Sequence, residues 1–164
     1  PENLALLRAV MKTVDAAQAE GVTLDNLETV KRRVNGVPGI KYDLGNAGWD
    51  SICVYADGTV YPSAALANEP ALLCGDVKKN APADVSATSP IVRHLRQATL
   101  ARNAAVSNDP FRFLTGGGDL EHAWCFTGDF LGVDPYYPIG VELSKRVMRE
   151  LGEEKMVRWN MPSP

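Results

Sequence analysis

No excess of basic charge runs through this chain: 17 Lys and Arg stand against 20 Asp and Glu, for a formal net charge of −3. A nucleic-acid-binding domain normally carries a basic patch or stripe, so the balance argues against that class. No apolar run approaches the roughly 18 residues that mark a membrane span. No basic stretch followed by an apolar segment opens the sequence, so no secretory leader is expected. Cysteine is scarce: Cys53, Cys74 and Cys125 are odd in number and widely spaced. A secreted disulfide scaffold would carry an even and denser set, so a reducing, cytoplasmic setting is expected, with neither nucleic acid nor membrane as partner. The three thiols are then either small buried hydrophobes or metal ligands. The start at Pro1 rather than Met reads as a truncated or processed beginning.

What is present is ordinary for a globular protein. The 164 residues are 45% hydrophobic and 23% charged, enough for one domain with a real core. Leu4, Leu7, Met11 and Val14 recur at helical steps and predict a first helix closed by Gly21. A second is predicted over Thr23–Val34, ended by Gly36, Pro38 and Gly39. The clearest strand signal follows. The run 51–56 and the run 59–63 flank Asp57-Gly58, a pair that predicts a two-residue type I′ hairpin turn over 51–63, with Pro62 ending the second strand. Residues 64–86 are weakly patterned and read as loop, with a short strand near Leu72–Val77. Ser89-Pro90 predicts an N-cap and first position of a third helix that runs on to Ser107–Pro110. Asp119 is expected to cap a short helical turn through Cys125, and a last helix is expected over Ile139–Leu151. The predicted fold is α+β: a small β-hairpin or short sheet packed with about four α-helices. Residues 1–44 form a helical lead-in, 45–152 the α+β domain and 153–164 a tail without period.

The common catalytic signatures are missing. There is no G-x-S-x-G, no H-E-x-x-H and no phosphate loop. Gly116-Gly117-Gly118 reads either as an anion-binding nest or as a tight turn that allows close backbone packing, and the second is preferred because no Lys, Ser or Thr follows to complete a nucleotide site. Only two histidines occur. His94 lies between Arg93 and Arg96 and reads as a partly exposed helix residue. His122 has Asp119, Glu121 and Cys125 for company. His122 and Cys125 are three residues apart, so on a helix they share a face. Imidazole and thiolate suit zinc or iron, and with Cys53 and Cys74 they make a Cys₃His set. Helix capping and core packing account for the same residues without metal.

The segment from Cys53 through Asp57-Gly58 to Tyr61-Pro62-Ser63 resembles the hairpin that opens the SPASM-type C-terminal domain of radical SAM enzymes. Gly75-Asp76-Val77 resembles the Gly-Asn or Gly-Asp step that follows in that family. Ser89 to Arg96 is similar to its next helix, Phe113 to Gly118 to its cysteine-glycine-glycine-cysteine turn, and Asp134-Pro135-Tyr136 to its late Asp-Pro-Tyr step. Each motif is short, and it is their order over residues 45–152 that carries the likeness. The resemblance implies an accessory domain beside a radical-generating barrel, holding auxiliary iron–sulfur clusters in an enzyme that modifies peptides or proteins. Ser63, Thr115, Asp119 and Tyr136-Tyr137 stand where the family has cysteines, so two all-cysteine clusters are excluded. One 4Fe-4S cluster is left, on Cys53, Cys74 and Cys125 with His122 as fourth ligand and Asp119 next in order. Zinc on the same ligands is one alternative, and a cluster-free scaffold or peptide-binding module is the other. The barrel's C-x-x-x-C-x-x-C motif is absent, so the chain is expected to act with an N-terminal barrel, in the same chain or as a separate subunit, on a peptide substrate and not to be catalytic alone.

Overall fold

The computed structural model describes residues 2–36, 45–67 and 69–159. Two helices open the chain, α1 (Glu2–Ala19) and α2 (Asp25–Val34). A three-stranded antiparallel sheet follows, β1 (Cys53–Val54), β2 (Thr59–Tyr61) and β3 (Gly75–Asp76), in the order β1-β2-β3. Five more helices complete the described residues: α3 (Pro82–Thr88), α4 (Pro90–Arg96), α5 (Arg112–Thr115), α6 (Leu120–Thr127) and α7 (Tyr137–Trp159). The fold is α+β, with more helices than the periodicity predicts.

Local chemistry explains most boundaries. Gly21 and Val22 donate to the carbonyls of Gln18 and Ala17, the paired bonds of a Schellman ending, where α1 is expected to stop. Ser89 caps α4 by accepting from the Val92 N–H, with Pro90 at the first position. Asp119 caps α6 in the same way through the Glu121 N–H at 2.8 Å. Pro38 and Gly39 lie outside the described residues.

Four expectations need correction. Val54 pairs with Val60, and the Tyr55 N–H donates to the Thr59 carbonyl, so the hairpin loop has three residues, Ala56 to Gly58, rather than two. The Asp57 carboxylate accepts from both the N–H and the hydroxyl of Thr59, which locks the exit of the turn and lowers the carboxyl pKa. Gly58 has φ 94°, and a Cβ there would lie 2.8 Å from an Asp76 carboxylate oxygen. Second, α4 stops at Arg96. Two 3₁₀ turns carry the chain to Val106, because buried Asn103 takes extended geometry and accepts from the Ala105 N–H. Third, α3 lies in the weakly patterned segment. It buries only Val85, so it leaves no periodic trace. Fourth, α7 begins two residues before Ile139 and runs through Gly152 into the expected tail.

Two buried clusters organise these pieces. One gathers Tyr61, Leu66, Leu72, Leu95, Leu120 and Phe130 around the sheet, α4 and α6. The other packs Val14 of α1 and Leu27 of α2 on Leu143 and Val147 of α7. Arg146 of α7 reinforces the second by donating to Asp15 and Gln18 of α1 and to Glu150.

Candidate functional site

A groove of about 550 Å³ runs between α2, α5, α6 and α7, within the range typical of ligand sites. Its apolar lining includes Val30, Leu114, Ile139 and Leu143, and its polar lining includes Arg33, Asp119, Glu121, His122 and Asp134. Arg33 of α2 donates to the Leu114 carbonyl at the end of α5 (3.0 Å), which holds one side of the groove together. Burial lowers the pKa of this guanidinium, which stays charged at any physiological pH because of its very high ordinary value.

Asp134 is the organising residue. It is 6% exposed, and its two oxygens accept separate backbone bonds, from Asp119 N–H to Oδ2 and from Tyr136 N–H to Oδ1, both 2.8 Å. The second bond is an Asx turn set by the Asp-Pro-Tyr step. The first draws the loop after α5 against the loop before α7. That approach explains the glycine run: Gly118 has φ 110°, and a Cβ there would sit 2.9 Å from the Cβ of Asp134. The run is thus the tight turn that allows close packing. Imidazole Nδ1 of His122 lies 3.5 Å from Asp134 Oδ1, and its ring meets Tyr136 edge-on at 4.9 Å. The glycine turn and the Asp-Pro-Tyr step therefore meet in space.

The proposed metal ligands do not meet. Cys53 on β1 and Cys74 beside β3 flank β2 from opposite sides, Cys53 paired with Tyr61 and Cys74 N–H bonded to the Val60 carbonyl. Cys53 packs on the sheet-side core, and the Cys74 thiol points to the Leu72 carbonyl at 3.5 Å. Burial raises the Cys74 pKa, with Ser89 opposing it, which disfavours the thiolate a metal needs. Cys125 is exposed and lines a separate depression with Leu66, Glu69 and Trp124. Although three residues along α6 leave a net offset of only about 60°, Cys125 lines this depression while His122 lines the groove. Among the described residues, no three His, Cys, Asp or Glu side chains gather to hold a metal ion. These residues, as placed, do not fit a Cys₃His site for iron–sulfur or zinc. Of the expected ligands, only His122 and Asp119 share a site. Ser63 accepts from the Leu66 N–H, and exposed His94 tilts against Phe130.

Asp134 and Arg33 were not singled out as site residues by the sequence. The Asx-forming Asp-Pro-Tyr step was the available signal for the first; for the second, the last of three consecutive basic residues, Lys31 to Arg33, is ordinary for a helix end and offered none. No helix among the described residues is long and apolar enough to cross a membrane. No protein-family model, curated protein or solved structure matches the chain. Fold and site together define an α+β domain with a polar-rimmed groove built around one buried carboxylate.

Proposed function

We propose that the chain is a cluster-free, SPASM-like accessory domain that binds a peptide in the groove between α2, α5, α6 and α7, beside a radical-generating barrel supplied by the same chain or by a partner. The observation that carries this reading is the 2.8 Å bond from Asp119 N–H to Asp134, which joins two of the resembling segments into one wall of the groove. The dispersed thiols favour the cluster-free form over a cluster or zinc carrier. An extended peptide suits the lining, with apolar side chains for its own and a guanidinium and carboxylates for its backbone and polar groups.

Anaerobic purification is expected to give colourless protein without stoichiometric iron, acid-labile sulfide or zinc. Brown, iron-loaded protein whose iron is lost in a Cys53→Ser, Cys74→Ser, Cys125→Ser variant would overturn the cluster-free reading. The barrel is tested separately, by reading the gene upstream of Pro1 and its neighbours. A C-x-x-x-C-x-x-C motif is expected there, and its absence from both removes the parent class.

A further inference from the structure

We propose that His122 and Asp134 form a proton-transfer dyad opening into the groove, with His122 Nε2 as the atom that accepts a proton from an O–H or N–H group of the bound ligand. That the ligand is a peptide rests on the function proposed above; the dyad itself rests on geometry. It has the three parts such a device needs. The first is a fixed carboxylate: Asp134 is buried and pinned by two backbone N–H groups from different segments. The second is an oriented imidazole. Nδ1 lies 3.5 Å from Asp134 Oδ1, and the imidazole meets the Tyr136 ring edge-on at 4.9 Å. A carboxylate beside Nδ1 draws the ring proton there and leaves the lone pair on Nε2, a tautomer inferred from the partner. The third is access. The His122 side chain is 46% exposed while that of Asp134 is 6% exposed, so base and orienting group divide their roles as in other carboxylate–imidazole pairs. At 3.5 Å the pair is an ion-pair contact and not a formed hydrogen bond; catalytic contacts are often long in the absence of ligand and tighten when it is bound.

The charged groups lining the groove with the ring are Asp119 and Glu121 from the start of α6 and Arg33 from α2; Tyr136 and Tyr137 line it as well. In the step itself, the ligand X–H bond breaks and an Nε2–H bond forms. The electron pair stays on X, and the imidazolium is stabilised by Asp134. The proton returns to the ligand or to water when the ring is restored. No oxidant or further reactant is needed.

The experiment needs no ligand and no variant at its first stage. Long-range ¹H–¹⁵N spectra of the whole chain are expected to show the neutral His122 ring protonated at Nδ1. Diethyl pyrocarbonate, which acylates an unprotonated imidazole nitrogen, is expected to modify His122 several-fold faster than His94, also exposed. Asp134→Asn is then expected to bring the His122 rate down to that of His94. A neutral ring protonated at Nε2, equal rates for the two histidines in the unaltered chain, or a folded Asp134→Asn protein with an unchanged His122 rate would each overturn the proposal. If Asp134→Asn does not fold, the first two measurements decide. Peptide binding by the unaltered chain, titrated separately, reports on the groove whichever way the dyad falls.

Discussion

Cys74, Cys53 and Cys125 carry the same thiol in three different settings, and their reactivity should follow the setting. Cys125 is exposed; Cys53 and Cys74 are half-buried, and burial holds the Cys74 pKa above that of an ordinary thiol. The sign follows from the raised value. As pH climbs past the ordinary thiol range, the unfolded chain gives up this proton before the folded one does. The contribution is therefore complete below that range and is lost as pH rises through the folded-state value. At neutral pH the folded Cys74 stays protonated and unreactive. Iodoacetamide labelling followed by peptide mass spectrometry should find Cys125 modified first and Cys74 last, the difference vanishing in denaturant. Equal rates for Cys74 and Cys125 in the folded chain would contradict this. The same residues show where sequence reading stops. Thiol identity is visible along a chain, but the side of β2 on which each cysteine lies depends on strand pairing.

Elements whose ends are set by neighbours in sequence were legible. The caps at Ser89 and Asp119 and the ending at Gly21 are decided within a few residues, and each stands where the sequence places it. Elements set by distant packing were not: α3 rests on one buried residue, and α7 continues through Gly152 although a glycine weakens a helix. A methyl group at Gly152 would meet nothing within 4 Å. Gly152→Ala is therefore expected to stabilise the chain by about 0.5–1 kcal/mol, seen as a melting temperature higher by about 2–4 °C per kcal/mol. A lower melting temperature would show that α7 is not helical at this position.

At the scale of the whole molecule, the α+β class was readable because hairpin and helix signals are both local. The groove was not, because α2 and α7 meet across about a hundred residues of sequence. Leu95 is fully buried in the sheet-side cluster. Leu95→Ala should cost about 2–5 kcal/mol, measured as a lower urea midpoint. If both clusters unfold as one unit, the denaturant slope stays unchanged and probes on α1 and on the sheet report one transition. Two separated transitions would show that the clusters fold independently.

The bond between Asp119 and Asp134 spans 15 residues. Since α6 lies between its ends, the bond from backbone to side chain closes a loop that contains that helix, a non-covalent clasp. A loop of this kind fixes length. A residue inserted or deleted anywhere from 119 to 134 must be absorbed inside the loop or else open it, so this stretch can change in composition much more freely than in length.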